Sequence, residues 1–241
     1  MNYIVSCLFT TCVDPLRGVK WDIHPLIMDN WYNSGLKLCE SNNNIKLIVF
    51  HDGLTDDFIS KYNLEYIIFI KTNECENYSP HDFRWFVYEN FIQNNEFENI
   101  FITDISDVLI KNNPFLNLEP DRLYVGDEDG KTWDNDWSSP RHFYYQERLS
   151  DYDTIYNKNK NNQFLNAGIL GGQRYIVLLF LEKMVKYSKL TMDNKHGQIT
   201  DMLLFNYIHY KYFPKRKHGF PINSRFWKNE IHREDVWFVH K

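Results

Sequence analysis

Short runs of β-branched and aromatic residues recur through the first half of the chain, and each run is bounded by polar or turn-forming residues. Such runs predict buried β-strands, because strands favour these side chains and a strand covered on both faces needs no polar alternation. The predicted strands are Tyr3–Phe9, Lys46–Phe50, Tyr66–Ile70, Ile100–Thr103 and Leu123–Val125.

Longer segments with apolar residues at helical spacing lie between and after these strands. They predict helices over Leu26–Leu38, Phe83–Gln93, Arg174–Tyr187 and Thr200–Ile208. Alternation of strand and helix over residues 1–110 predicts βαβ units, and therefore a mainly parallel sheet flanked by helices. We expect an α/β, Rossmann-like fold in a single domain, because no linker divides the 241 residues into independent parts.

Residues 127–163 show no clean periodicity and are rich in acidic residues, Trp, Tyr and Asn. A long irregular segment inside a compact domain is usually functional or mobile, and the Asn-rich end at 157–162 is interpreted as a flexible loop tip. Trp133 and Trp137 fit two hypotheses. They stack on an acceptor sugar, or they anchor the loop through burial of their rings.

The composition excludes several classes of function. The formal net charge is −5, whereas a chain whose main partner is nucleic acid would carry a basic excess. No apolar run approaches the roughly 20 residues that span a bilayer, so any membrane contact is expected to be peripheral. Four cysteines without a close CxxC pair predict reduced thiols. Since no signal peptide is evident, the expected location is cytoplasmic, in a bacterium or in the host of a virus.

Polar residues follow the predicted strands directly. Thr10 follows the first strand, Asp52 the second, and Asp104 and Asp107 the fourth. In open α/β sheets the ligand lies beyond the carboxyl ends of the strands, so Thr10 and Asp52 are candidate nucleotide contacts. Two carboxylates at a strand end can converge on one divalent cation, since Mg²⁺ and Mn²⁺ prefer oxygen ligands. The structural alternative is that Asp104 caps a turn and Asp107 begins the next element.

The segment NAGILGG, residues 166–172, is the second informative stretch. Its glycines and alanine allow a ligand to approach the backbone closely. A strand followed by a tight turn explains the same residues equally well. The segment lacks the lysine of a phosphate-binding loop, so it does not by itself identify a ligand.

Together these motifs resemble the GT-A-type glycosyltransferases, which have a Rossmann-like nucleotide-binding half and a DxD-like metal motif. TDISDVLIKNNPF, residues 103–115, is similar to a DxxD variant of that motif, and NAGILGG is similar to the segment beside the donor sugar. HDFRWFVYENFI, residues 81–92, resembles the helix that precedes the metal motif. VGDEDG, residues 125–130, resembles the strand-end segment that follows it.

Two further segments extend the resemblance toward the end of the chain. DMLLFN, residues 201–206, looks like the DQ-x-x-x-N helix of the family, with Met202 where many relatives carry Gln. FVHK resembles the strand that supplies a metal-binding histidine, here His240. The motifs thus occur in the order that the family has them.

The resemblance implies a function. A hexose-type sugar would move from a nucleotide-sugar, with UDP as the expected nucleotide, to a glycan or protein-linked acceptor with retention of configuration. Mn²⁺ or Mg²⁺ would be the cofactor. The nucleotide would lie against residues 1–110, and the donor sugar and the acceptor against residues 111–241.

The resemblance also implies roles for individual residues. Asp107 and His240 would bind the metal, and Asp104 would bind it directly or through water while reaching the ribose. Arg84 would lie near the nucleotide or near Asp104. Asp201 would lie near the reacting carbon or the acceptor hydroxyl. The donor sugar would be lined by Asn166, Ala167 and Gly168.

Some alternatives stay open. A catalytic base, where one is needed, could be Asp127, Glu128, Asp129 or Asp201. A carbohydrate-binding or catalytically inactive GT-A-like protein would keep the fold without turnover. A nucleotidyltransferase would share the α/β plan, but it normally shows a Gly-rich basic loop after the first strand, and the residues after Phe9 match that pattern poorly.

Overall fold

A computed structural model describes residues 1–14, 18–20, 27–73, 75, 78–191, 201–226 and 230–240. Its strands are β1 (Asn2–Leu8), β2 (Val13–Asp14), β3 (Val19–Lys20), β4 (Ile45–His51), β5 (Ile67–Lys71), β6 (Asn99–Thr103), β7 (Val108–Ile110), β8 (Leu123–Thr132), β9 (Gln163–Gln173), β10 (Arg216–His218), β11 (Asn223–Arg225) and β12 (Phe238–His240). Its helices are α1 (Asp29–Glu40), α2 (Asp56–Ile59), α3 (Pro80–Asn94), α4 (Phe143–Gln146), α5 (Tyr152–Asn159), α6 (Arg174–Thr191) and α7 (Asp201–Tyr212), with two short 3₁₀ turns at Ser139–Arg141 and Glu230–His232.

A seven-stranded sheet in the order β10-β8-β9-β6-β1-β4-β5 forms the centre of the molecule. β1 pairs in parallel with both β4 and β6, and β4 pairs in parallel with β5. β9 is antiparallel to both of its neighbours, β6 and β8. The prediction of a mainly parallel α/β sheet is therefore confirmed. The chain places β4 and β5 on one side of β1 and then β6 on the other side, so the strand order reverses between β1 and β6. Ligands of open α/β sheets bind at such a switch point.

The two faces of the sheet carry separate hydrophobic cores. Neighbouring residues on a strand point to opposite faces, so Ile4 packs on the side that holds Trp31 of α1, and Val5 packs on the side that holds Trp85 of α3. Helices α6 and α7 cover the second face beside α3. Within the described part of the chain, no helix is both long and apolar enough to cross a membrane.

A small sheet in the order β11-β12-β7 lies beside the large one. β12 runs antiparallel to β7, and His240 is the register partner of Val108. β11 runs parallel to β12, with Arg225 opposite His240. This pairing brings residues near the end of the sequence next to the residues that follow β6.

The segment 127–163 is more regular than its sequence suggests. β8 continues to Thr132, and α4 and α5 occupy much of the remainder. Trp133 is fully buried and stacks on Tyr210 with ring centroids 5.4 Å apart, so the loop-anchoring hypothesis is confirmed for this residue. The interpretation of 157–162 as a flexible loop tip is wrong for its first three residues, which form the last turn of α5. That helix is held by aromatic packing against Trp133, which the Asn-rich composition conceals.

The helix predicted over Leu26–Leu38 is α1, although Leu26 lies outside the described residues. The helix predicted from Thr200 is α7, and Thr200 likewise lies outside them.

Cys12 and Cys75 form a disulfide, with their Cα atoms 6.1 Å apart. The expectation of reduced thiols is wrong for this pair, while Cys7 and Cys39 are free. Cys12 follows β1 and Cys75 follows β5, and the carboxyl ends of parallel strands meet at one edge of the sheet. The sequence separation of 63 residues conceals this proximity.

Candidate active site

Three potential metal ligands converge at the carboxyl edge of β6. One ligand atom from each of Asp104, Asp107 and His240 lies within 4.8 Å of the other two. His240 Nε2 is 3.6 Å from Asp104 Oδ2 and 3.8 Å from Asp107 Oδ1. The aspartates lie between β6 and β7, and β12 delivers His240 because it pairs with the start of β7. Two strands far apart in sequence thus build one cluster.

His240 is completely buried, and neither of its ring nitrogens has a hydrogen-bond partner among the described residues. Buried polar groups are nearly always satisfied, so an exception calls for a ligand or a functional explanation. A cation bound between the imidazole and the two carboxylates would satisfy one of these nitrogens. The donor set therefore fits a divalent metal.

Gly168 of β9 explains how the cluster can be so compact. A Cβ atom at this position would lie 2.5 Å from His240 Cε1 and 2.7 Å from Asp104 Oδ2, closer than side-chain atoms approach. The backbone of Gly168 also accepts a 2.9 Å hydrogen bond from the Asp104 amide, and its own amide donates to Asn166 Oδ1 at 2.6 Å. Gly168, the first glycine of NAGILGG, is thus required because β9, the end of β6 and β12 approach one another closely here.

Two buried hydrogen bonds fix the end of β6, directly before Asp104. Ser6 Oγ donates to the Thr103 carbonyl at 2.7 Å, and Trp31 Nε1 donates to Thr103 Oγ1 at 2.7 Å. Sequence reasoning did not find these residues, because their partner lies more than 70 positions away in the chain. They hold the strand end that presents the first aspartate.

Arg84 of α3 connects two acidic residues of the site. Its guanidinium donates to Asp104 Oδ1 at 2.5 Å through Nη1 and to Asp201 Oδ2 at 2.9 Å through Nη2. Burial disfavours the charged form of Arg84, but the charges of Asp104 and Asp201 outweigh it and raise its pKa. Of the two positions expected for Arg84, the structure shows the one beside the first aspartate, and contact of Arg84 with a nucleotide stays a prediction.

Asp82 is a member of this acidic group that the sequence did not single out. Its backbone amide donates to the hydroxyl of Ser79, the N-cap of α3, and that hydroxyl donates to Asp82 Oδ2 at 2.6 Å. Burial and then the charge of Asp201 raise the pKa of Asp82 to about 7, against the opposing effects of Ser79 and Arg84. The Ser-Pro-x-Asp spacing at a helix start was the available signal, and it indicated only a cap.

Thr10 and Asp52 lie together, but they are engaged with each other. The Asp52 carboxylate accepts from the Thr10 amide at 2.7 Å, and from the amide and hydroxyl of Thr11 at 3.1 and 2.5 Å. These bonds brace the loop after β1 beside the Cys12–Cys75 disulfide. Direct contacts of these two residues with a nucleotide stay a prediction.

The remaining candidates face in different directions. The Asn166 amide donates to the Glu128 carboxylate, while the Ala167 methyl lies in the core beneath α6 and α7. Asp127 forms an ion pair with Arg225 at 2.6 Å. The structure thus brings together Arg84, Asp104, Asp107, Gly168, Asp201 and His240, and it turns Ala167 away from them.

A cleft of about 100 Å³ opens beside this cluster. Its lining includes Phe9 after β1, His81 and Arg84 of α3, and the two aspartates after β6. An apolar wall with a few converging polar groups is typical of small-molecule sites. The cleft lies between β1 and β6, where the strand order reverses.

This sheet, its switch point and the acidic cluster at its edge define a GT-A-type α/β fold in a single domain. Among solved structures with the same fold is the galactosyltransferase LgtC, in complex with donor and acceptor sugar analogs, with a TM-score of 0.56 and 13% identity over 100% of this chain and 86% of LgtC. An active-site mutant of LgtC gives a TM-score of 0.57 at 13% identity over the same shares. No family model matches the chain, and no curated protein matches it in sequence.

Proposed function

We propose that this chain is a metal-dependent glycosyltransferase that moves a hexose-type sugar from a nucleotide-sugar to a glycan or protein-linked acceptor. The observation that carries the proposal is the convergence of Asp104, Asp107 and His240 at the switch point of a GT-A-type sheet. The fold is the one that LgtC uses to hold donor and acceptor sugars, as its structure with their analogs records.

The metal would be held by Asp107 and His240, with Asp104 as a third ligand or as a ligand through water. Carboxylate oxygens suit Mn²⁺ and Mg²⁺. A bound cation would supply Lewis-acid stabilisation to the diphosphate leaving group. UDP is the nucleotide we expect, bound by residues 1–110 in the cleft between β1 and α3.

The side chains of the protein position the reactants. Arg84 fixes the orientation of Asp104 and Asp201, because its two terminal nitrogens each hold one carboxylate. Asp201 would then face the reacting carbon or the acceptor hydroxyl, with the donor sugar against the backbone at Asn166–Gly168. We expect retention of configuration, so no separate base is required for the transfer.

Met202 favours one alternative, a sugar-binding GT-A-like protein without turnover. This methionine stands where the resemblance leads one to expect glutamine, and a thioether cannot donate the hydrogen bonds of an amide. The alternative predicts sugar binding that is indifferent to metal. Under the transferase proposal, binding of the nucleotide depends on the metal.

Calorimetric titration separates these functions. UDP, GDP, CDP and ADP are titrated into the protein with Mn²⁺ and then with a chelator. We expect one nucleotide to bind only in the presence of the metal. Turnover of the matching nucleotide-sugar is then measured by release of the nucleoside diphosphate.

Asp107→Asn is the test variant, and Asp57→Asn, on the exposed first turn of α2, is its matched control. The first should abolish metal-dependent binding and the second should leave it intact. If no nucleotide binds to the folded protein under either condition, the transferase proposal is wrong. If binding is the same with Mn²⁺ and with chelator, and no nucleotide-sugar is turned over, the inactive alternative holds.

A further inference from the structure

Asp127 of β8 lies in an ion pair, and it does not stand open to the cleft. Its Oδ1 accepts from Arg225 Nη2 at 2.6 Å, and its Oδ2 lies 3.1 Å from His218 Nδ1. The same Arg225 nitrogen also donates to the backbone carbonyl of Asp127. The Arg225 side chain is only 4% exposed, so this pair is removed from water.

Arg225 connects Asp127 to the candidate metal site through the small sheet. It is the last residue of β11, and its register partner on β12 is His240. The amide of Phe226 donates to the His240 carbonyl at 3.1 Å. On its other side β12 pairs with β7, where His240 lies opposite Val108, the residue after Asp107.

The strands of the small sheet are too short to hold their position by pairing alone. Each of its strands has three residues, whereas strands in proteins usually have five or six. Metal sites tolerate deviations of only about 0.2 Å in ligand distance. Three-residue pairing offers few hydrogen bonds to hold His240 to that tolerance, and the Asp127–Arg225 pair ties β11 to the large sheet.

We propose that Asp127 is a positioning residue that, through Arg225, holds β11 and β12 so that the His240 imidazole faces Asp104 and Asp107. The proposal rests on the proposed function in treating His240 as a metal ligand. It assigns no proton transfer to Asp127, because a base there would have to give up its bonds to Arg225 and His218. Partners that orient a metal ligand typically change the metal affinity 10–100-fold when removed.

Asp127→Asn tests the proposal, because it keeps the size of the side chain and removes its charge. In the metal-free protein we expect faster amide hydrogen exchange in residues 238–240. In the Mn²⁺ titration we expect the dissociation constant to rise about 10–100-fold. Arg225→Lys keeps the positive charge but removes the guanidinium whose Nη2 reaches both the carboxylate and the carbonyl of Asp127, so it should act in the same direction and serves if Asp127→Asn does not fold.

Asp151→Asn is the matched control. Asp151 accepts from Tyr207 at 2.6 Å and pairs with Lys211 at 2.6 Å, and both partners lie on α7, which belongs to neither the large nor the small sheet. We expect a comparable loss of stability with unchanged exchange in residues 238–240 and unchanged Mn²⁺ affinity. The same response in both variants would show a general loss of stability and overturn the proposal.

Two other outcomes are distinct. If Asp127→Asn leaves exchange and Mn²⁺ affinity unchanged while turnover is lost, Asp127 is a catalytic base and the positioning proposal is wrong. If the unaltered protein binds no Mn²⁺, the proposed function fails, and exchange in β12 alone decides whether Asp127 holds the strand.

Discussion

Gly168→Ala should damage the proposed metal site far more than the fold. The added Cβ would lie 2.5 Å from His240 Cε1, whereas ordinary contacts begin near 3.4 Å. The imidazole, the Asp104 carboxylate or the strand must therefore move by about 1 Å, several times the tolerance of about 0.2 Å for a metal ligand. Overpacking of this kind costs about 1–3 kcal/mol of unfolding free energy, which leaves most proteins folded.

We expect the Mn²⁺ affinity of Gly168→Ala to fall at least about 100-fold, which corresponds to about 2.7 kcal/mol. Calorimetric titration gives the dissociation constant, and urea unfolding of the metal-free protein gives the stability. The two measurements together separate loss of the site from loss of the fold.

Gly171→Ala is the matched control on the same strand. Its Cβ would meet the ring of Phe101 in the core, so it should lower stability by as much or more while the folded fraction binds Mn²⁺ normally. A Gly168→Ala protein that is folded and binds Mn²⁺ within threefold of the unaltered chain would refute the reasoning.

Three further predictions concern stability. Burial lowers the pKa of His142 to about 4, so between pH 6.5 and 4 the unfolded chain binds a proton that the folded chain excludes. The free energy of unfolding should therefore fall by about 3 kcal/mol as the pH drops from 6.5 to 4. Thermal melts of His142→Gln should show a melting temperature that depends less on pH over this range. Reduction of the Cys12–Cys75 disulfide should lower the free energy of unfolding by about 4 kcal/mol, because the disulfide closes a loop of 63 residues in the unfolded chain. Urea titrations with and without reductant measure this loss, and a variant with serine at both positions should give the same stability in both. Arg84→Gln should cost about 3–5 kcal/mol in the metal-free protein, because two carboxylates lose their guanidinium partner, and a loss below 1 kcal/mol in the same titrations would contradict this account.

The central strands could be predicted because their apolar runs are continuous and long. β1, β4 and β6 are buried on both faces, so local composition is enough to identify them. β7 and β11 could not be predicted in the same way, because three-residue strands are defined by their partners and not by their own sequence.

The candidate site likewise contains residues that local sequence identifies and residues that only the folded chain brings together. Asp104 and Asp107 could be found from a strand end followed by carboxylates. The bond between Arg84 and Asp201 spans 117 residues, so only the folded chain displays it. His240 was reached through the resemblance alone, since nothing in its local sequence distinguishes it from other histidines.

The two hydrogen bonds of Arg84 couple Asp104 and Asp201 electrostatically. One guanidinium nitrogen faces Asp104 of the proposed metal cluster, and another faces Asp201 at the start of α7. A ligand that draws Asp104 away from Arg84 changes the electrostatic potential at Asp201. Thermodynamic linkage then requires that a ligand at Asp201 alter binding at the proposed metal cluster by the same factor. If the proposed function holds, donor and acceptor occupancy would be reciprocally coupled through one side chain, without movement of a domain.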